Sequence, residues 1–340
     1  MSATRIAQAL TDAEPVSYWR AAIGECDDHP RLAGRQRADL VVVGAGFTGL
    51  WTAILAKERD PSTDVVLIDA DVAAGAASGR NGGFVSDSLT HGLAHGVATW
   101  PDELSRLLRL GRGNLAELVE FVRAEGIDAD LRLCGKTAVA TREHEVAQLA
   151  ESVRLHREYG EDVSLLDRDA VQADVHSPTY LAGMRVDSGG GLVDPARLAA
   201  GLIDAALRRG VRIHEHSRVT GLRREDGRVD VRTEHGSVAS RRVVLATNAF
   251  RPTLRRLRPW IVPVYDHVLV TEPLSADQLA AVGWSQNQGM TDSGNQFHYY
   301  RRTPDDRILW GGYDAIYYYG SKTDAALEQR ERSHRLLASQ

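Results

Sequence analysis

The hexapeptide Gly44-Ala45-Gly46-Phe47-Thr48-Gly49 constrains the fold more than any other stretch, because of what stands on either side of it. Residues 39 to 43, Asp-Leu-Val-Val-Val, read as a strand ending at Gly44, and an apolar-rich helix runs from Gly49 to about Lys57 before Asp60-Pro61. A second apolar run, Val65 to Ile68, ends at Asp69, 20 residues after Gly49. Short, fully apolar strands flanking a helix are what a buried parallel βαβ unit requires, since both sheet faces are covered. In such a unit the first glycine allows a tight turn, the second lets backbone approach a pyrophosphate, and the third lets helix pack on strand. The helix start then faces the phosphate charge, and Asp69 can accept from ribose hydroxyls. A plain glycine-rich turn with an exposed Asp is the bland alternative; strand, helix and acid together favour the dinucleotide site. Asp69 would repel the 2′-phosphate of NADP, but it does not separate NAD from FAD.

Further along, residues 101 to 126 and 143 to 160 read as helices separated by a strand-like stretch from Leu131 to Thr141. Asp194-Pro195 is an N-cap and N1 pair, Leu198, Leu202 and Ala206 line one helical face, and Gly210 supplies the stop. Strand-like runs follow at 211 to 215, 228 to 234 and 243 to 247. Beyond Pro259 come longer alternating runs, Ile261 to Thr271, Gln296 to Arg301 and Arg307 to Gly312, the pattern of an antiparallel sheet. The expected class is α/β with an α+β second lobe, a Rossmann-like domain interrupted by an antiparallel-sheet substrate domain. The expected boundaries are an N-terminal extension at 1–37, a nucleotide domain at 38–100 and 187–258, a substrate domain at 101–186 and 259–325, and a final helix at 326–340. Tyr18-Trp19 in the extension could pack a short helix onto the main body.

Several function classes are disfavoured. A formal charge of −5 argues against a polyanion-binding role, and runs such as Arg241-Arg242 and Arg255-Arg256 read as solvated edges. The two cysteines, Cys26 and Cys134, lie far apart without metal-ligand spacing, so neither a disulfide framework, a zinc site nor any other metal is expected. The N-terminal residues lack an apolar signal core, and no stretch reaches the roughly 18 apolar residues of a membrane span, which makes the cytoplasm the default location.

A second glycine-rich stretch, Gly75 to Gly83, follows Asp69 closely. Backbone there can approach a large flat cofactor and Arg80 can meet phosphate, whereas a nicotinamide dehydrogenase has no need of it. On composition alone a flexible loop is an equal alternative.

GAGFTGL, LIDAD, GAASGRNGGF, GGGLVDPARLAAGL and VVLATNAF, in this order, resemble the glycine/D-amino-acid oxidase superfamily of flavoproteins. ASGRNGG and RILWGGYDA resemble its γ-glutamylputrescine oxidase-like branch. The resemblance implies that FAD is the cofactor and that Gly44, Ala45, Gly46, Phe47, Thr48 and Gly49 hold its pyrophosphate. It implies that Asp69 and Ala70 meet the adenosine ribose, that Val219 meets adenine through its backbone, and that Ala246 and Thr247 return the chain to the cofactor. Ser78, Gly79, Arg80, Asn81, Gly82 and Gly83 would run beside the pyrophosphate toward the isoalloxazine. Arg80 stands where some relatives carry a flavin-linking histidine, and the chain has no late cysteine, so FAD is expected to be non-covalent.

The activity so implied is oxidation of an amine or amino acid at its C–N bond, by hydride transfer to flavin N5 and hydrolysis of the imine. The electron acceptor would be O2 or a carrier. No acid/base pair is required; His91, His95, His267 and His298 are each more readily surface or satisfied core residues than pocket residues. Tyr299 and Arg301 in FHYYRRT are expected to contact substrate, because alternation along a strand turns both to one face; a packed ring and a solvated arginine is the competing expectation. Such flavoproteins continue past the position of Gln340, where this chain ends in the helical pattern ALEQRERSHRLLASQ, so weak FAD binding and poor catalysis are expected of the chain by itself. A catalytically impaired flavin-binding protein, and less favourably an NAD-dependent dehydrogenase, are the other functions considered.

Overall fold

The apolar run before Gly44 forms a strand that begins earlier than its hydrophobic part, spanning Gly34–Val43 in the computed structural model. The structure describes residues 3–24, 28–312 and 314–340; Cys26 and the tyrosine of RILWGGYDA lie outside the described residues.

Six strands form the first sheet, in the order Arg212–His214, Val65–Ile68, Gly34–Val43, Gly236–Leu245, Arg228–Arg232 and Gly221–Glu225. The first three pairings are parallel and the last two antiparallel. The helices Phe47–Arg59 and Pro195–Arg208 cover one face, burying Leu50, Ala53, Ile54, Leu198 and Leu202 against Val42, Val65 and Leu67. Each fully buried leucine, isoleucine or valine side chain here contributes about 1.5–3 kcal/mol. Asp194 starts the second of these helices by accepting from the N–H groups of Ala196 and Arg197 at 2.9 and 3.0 Å, with Pro195 in its first turn. The helix Leu104–Ala124, expected in the substrate lobe, instead packs Phe121 and Val122 onto this first core, and Trp51 meets Phe121 edge to face at 4.6 Å.

The second sheet has seven strands, in the order Val268–Val270, Ile308–Gly312, His298–Arg302, Gly289–Asp292, Lys136–Ala140, Ala182–Val186 and Val163–Leu166. The sheet is antiparallel, as expected, at every pairing but one: Lys136–Ala140 and Gly289–Asp292 pair in parallel. These strands come from the two separate passes of the chain through this sheet, joined by the long excursion through the first, and only a long crossover permits a parallel pair. The long strand expected over 261–271 shrinks to Val268–Val270, preceded by a 3₁₀ turn at Arg255–Trp260 and one bridge between Tyr265 and Ile316. Pro259 and Pro263 lack the N–H groups a ladder needs. Phe84–Ser86 pairs with Gly190–Leu192 in a small third sheet, and the extension contributes the helix Tyr18–Ile23, with Trp19 only 2% exposed. Among the described residues no helix is long and apolar enough to cross a membrane.

Candidate functional site

Register brings three strand ends together. Val43 lies opposite Ile68 on one side and Leu245 on the other, so Gly44, Asp69 and Ala246 emerge side by side. Successive strands leave the Gly34–Val43 strand in opposite directions here, and ligands of open α/β sheets bind at such switch points, outside the carboxyl ends of the strands. The N–H of Gly44 donates to Ile68 O at 2.8 Å and that of Ala246 to Val43 O at 2.7 Å, fixing the crevice floor.

The turn's three glycines meet different neighbours. Gly44 has φ +103°, and a Cβ there would stand 2.4 Å from Ala246 O. A Cβ on Gly49 would lie 1.8 Å from Gly44 O, so helix and strand touch backbone to backbone. At Gly46 only the Ser78 hydroxyl stands close, 2.8 Å from the Cβ position. That hydroxyl accepts the Phe47 N–H at 3.0 Å. The first N–H groups of a helix have no intrahelical acceptor, and those of Thr48 and Gly49 remain directed out of the helix start, where an anion is favoured.

Asp69 accepts from the N–H groups of Ala45 at 2.7 Å and Asp71 at 3.0 Å. Burial raises its pKa, opposed by these N–H groups. Ala70, beside it, is exposed. The chain returns past this point where Ser217 donates to Asp69 O at 2.8 Å, and half-buried Val219 lies two residues beyond. Thus the turn, Asp69, Ala70, Ser78, Val219, Ala246 and Thr247 gather at one end of the first sheet. A glycine cradle at a helix start, an acid at the next strand end and small residues between them fit the adenosine and diphosphate of a dinucleotide.

The second glycine loop is braced rather than slack. The Asn81 side-chain amide donates to Ala77 O and Ser78 O at 3.1 and 2.9 Å, and its oxygen accepts the Gly83 N–H at 2.9 Å. Gly79, Gly82 and Gly83 are buried, and Gly83 has φ +72°. Arg80 turns to Glu328, 2.8 Å away, with both side chains 43% exposed, an exposed pair of little strength.

Alternation along His298–Arg302 does turn Tyr299 and Arg301 to one face, toward this loop, and Tyr300 to the other, where its hydroxyl meets that of Tyr180 at 2.6 Å. The Tyr299 ring lies between Gly82 and Gly311, either of which would place a Cβ 2.5 Å from it, and its hydroxyl donates to Asp266 at 2.6 Å. Burial first, and then the facing Asp266 carboxylate, push the Tyr299 hydroxyl far above the usual tyrosine range. Arg301 has no exposed surface; its Nη1 donates to Gly83 O at 3.0 Å and Val193 O at 2.7 Å. Its direct environment is therefore protein, not solvent.

The four histidines do not converge. His95 meets Thr90 O at 2.7 Å, His298 meets Asp292 at 2.5 Å, and exposed His91 adopts φ 56°. His267 is buried beside Tyr265 and His334, and burial lowers its pKa. The short helix expected at Tyr18-Trp19 does pack onto the main body, but sequence reasoning gave no site role to Trp19, whose Nε1 donates to Asn81 O at 2.9 Å, or to Asp266. The SYW triplet around Trp19, an aromatic pair in a polar extension, was the available signal.

Comparison with known proteins places the chain in a family. Residues 39–339 match the family described as FAD dependent oxidoreductase. Gamma-glutamylputrescine oxidoreductase of Escherichia coli (strain K12) is 32% identical over 303 residues, covering 87% of this chain and 69% of that one. A probable oxidoreductase OrdL of Haemophilus influenzae is 30% identical over 305 residues, with 87% and 69% covered. Among solved structures, glycine oxidase from Bacillus cereus ATCC 14579 shares the fold with a TM-score of 0.69 at 19% identity, covering 89% of this chain and 77% of that one. Because the family match runs from the strand that opens the glycine turn to the last helix, the chain belongs to the FAD dependent oxidoreductase family and is an FAD-dependent enzyme.

Proposed function

We propose that the chain oxidises an amine or amino acid at a C–N bond, using non-covalently held FAD. The observation that carries the cofactor half is the junction of Gly44, Asp69 and Ala246 at one switch point, beside a helix start. The substrate class rests on the similar proteins named above, an oxidoreductase of gamma-glutamylputrescine and an oxidase of glycine. When bound, FAD supplies the two-electron acceptor for the substrate's C–H hydrogen, which leaves as hydride and yields an imine that hydrolyses.

This chain's residues bind and orient. The Thr48 and Gly49 N–H groups would take phosphate oxygens, Asp69 the ribose hydroxyls, and the backbone at Val219 the adenine. Ala246 and Thr247 leave room for the cofactor by being small. Of the two residues expected to meet substrate, we keep Tyr299 at the lobe seam as a neutral hydrogen-bonding phenol, since its raised pKa disqualifies it as a base. Arg301, enclosed by protein, acts on the loop and not on substrate. Arg80 is not a covalent flavin ligand, since its guanidinium is no nucleophile.

The test is a purified preparation examined by absorbance, acid precipitation and anaerobic addition of amines and amino acids. A yellow protein is expected whose colour enters the acid supernatant and bleaches with a member of that set; oxygen uptake then separates O2 from a carrier as acceptor. Colour retained in the pellet would refute non-covalent binding, and flavin that stays oxidised with every amine and amino acid would refute the substrate class.

A further inference from the structure

Arg301 is costly where it stands. A buried guanidinium needs compensation, yet Nε and Nη2 have no hydrogen-bond partner and the nearest carboxylate, Asp130, is 3.7 Å from Nη2. Burial lowers its pKa to about 10. What it does hold is specific: Gly83 O, Val193 O, and the face of Trp19, whose ring centroid is 5.0 Å from the guanidinium carbon. Trp19 in turn donates to Asn81 O at 2.9 Å. Two residues far apart in sequence, one in the N-terminal extension and one in the substrate sheet, therefore grip the same three-residue segment from one side.

From that segment the bonds continue to the phosphate turn. Asn81 Nδ2 donates to Ser78 O, and the Ser78 hydroxyl accepts the Phe47 N–H at the start of the glycine-turn helix. A shift of Asn81 moves Ser78, and a shift of Ser78 alters the groups that face a phosphate. Gly83 leaves no slack, because a Cβ there would be 2.3 Å from Val193 O and 2.6 Å from Arg301 Nη1.

We infer that Trp19 and Arg301 are positioning residues for the cofactor, setting the course of Asn81–Gly83 from behind and through it the placement of Ser78 at the phosphate turn. The inference rests on the FAD site proposed above. It gives the N-terminal extension a part in cofactor binding through Trp19. Trp19 and Arg301 also stack on each other, so each holds the other's orientation, and a fault in either should reach Ser78 by the same route. Cation–π contacts strengthen when desolvated, as this one is.

The experiment uses the full chain freed of cofactor and titrated with FAD, comparing wild type with Trp19→Phe, Arg301→Lys, Arg301→Met and the control Tyr300→Phe on the opposite face of the same strand. Trp19→Phe keeps an aromatic face, though a smaller one, and removes the N–H donor; Arg301→Lys keeps the charge and loses the fork. Two quantities are read: amide hydrogen exchange of residues 79–84 without cofactor, and the FAD dissociation constant with the flavin's visible spectrum and reduction potential. Trp19→Phe and Arg301→Lys are expected to speed exchange in the loop and to weaken FAD binding about tenfold, a usual size for coupling between neighbouring sites, with a shifted potential. Tyr300→Phe should change neither. Arg301→Met is expected to exceed both and to lose some thermal stability.

Unchanged exchange in Trp19→Phe and Arg301→Lys overturns the clamp. Faster exchange with an unaltered FAD constant and potential shows a cement between lobes and overturns the role in cofactor positioning. A wild-type protein that takes up no FAD refutes the site itself, and loop exchange measured without cofactor still decides whether Trp19 and Arg301 hold the segment.

Discussion

Gly46→Val and Gly49→Ala should separate binding from folding within a single turn. At Gly46 the backbone has φ −79°, which any residue adopts, and a Cβ meets only Ser78 Oγ at 2.8 Å. Ser78 can rotate away at the loss of one hydrogen bond, about 1 kcal/mol, and the two valine methyls add about 1 kcal/mol of crowding. Together this lowers Tm by about 2–4 °C in a chain of this size. At Gly49 the obstacle is backbone: a Cβ would be 1.8 Å from Gly44 O and 3.3 Å from Leu67 Cδ1. No rotamer relieves it, so the helix must move off the strand by more than about 1 Å, costing about 3 kcal/mol or more. Thermal unfolding with and without FAD reads both effects, since ligand at a hundred times its dissociation constant adds about 2.7 kcal/mol to the wild type. Gly46→Val is expected to keep a near-wild-type Tm without FAD and to lose the FAD-induced rise; Gly49→Ala should lose much of both. A Gly46→Val protein that still rises with FAD would refute the phosphate-turn assignment, and a Gly49→Ala protein as stable as wild type would refute the packing argument.

Two further outcomes follow from electrostatics. Glu125 accepts from Arg208 at 2.6 Å and Arg209 at 2.5 Å, and these bonds hold its pKa down to about 2 from 4.5. Ionised Glu125 therefore stabilises the fold above pH 4.5, and its contribution fades as pH falls toward 2; Glu125→Gln should cost about 1–2 kcal/mol at neutral pH after solvent screening, with a shrinking difference in acid, and a gap that grows on acidification would contradict the pairing. Tyr299→Phe should leave the shape of the pH–rate profile unchanged, because the Tyr299 hydroxyl is held neutral throughout the working range; loss of an alkaline limb in the variant would show instead that Tyr299 titrates during turnover.

The part of the site that sequence made legible is the part that depends on neighbours in the chain. The Gly44–Gly49 turn, the strand before it, the helix after it and Asp69 form one local βαβ unit, whose hydrophobic period and glycine spacing are set by residues a few positions apart. The N-cap at Asp194 was legible for the same reason. What escaped depends on contacts across the molecule. Nothing near residue 104 says that the Leu104–Ala124 helix will lay Phe121 on Trp51 instead of on the second sheet. Nothing near residue 136 announces a parallel partner at Gly289–Asp292. Arg301 sits in a stretch, YYRRT, whose charges suggest solvent, and only the tertiary structure shows that it is enclosed while its neighbour Arg302 pairs with Asp306 at 2.6 Å.

The second glycine loop shows how the two kinds of information combine. Its glycines suggested either slack or a surface for a flat cofactor, and the structure supplies a third reason for them. Gly82 in the loop and Gly311 in the second sheet admit the Tyr299 ring between them, and Gly83 lets the Val193 carbonyl and the Arg301 guanidinium reach the chain. A methyl group at any of these positions would hold the lobes apart at the seam, so the glycines here are demanded by packing and not by flexibility. A loop so tightly packed behind cannot yield when its front is loaded. If the cofactor binds where the phosphate turn and Ser78 direct it, it meets a loop already fixed on one side by Tyr299 and Arg301 of the second sheet and on the other by the start of the glycine-turn helix, so the groups that face it are placed before it arrives.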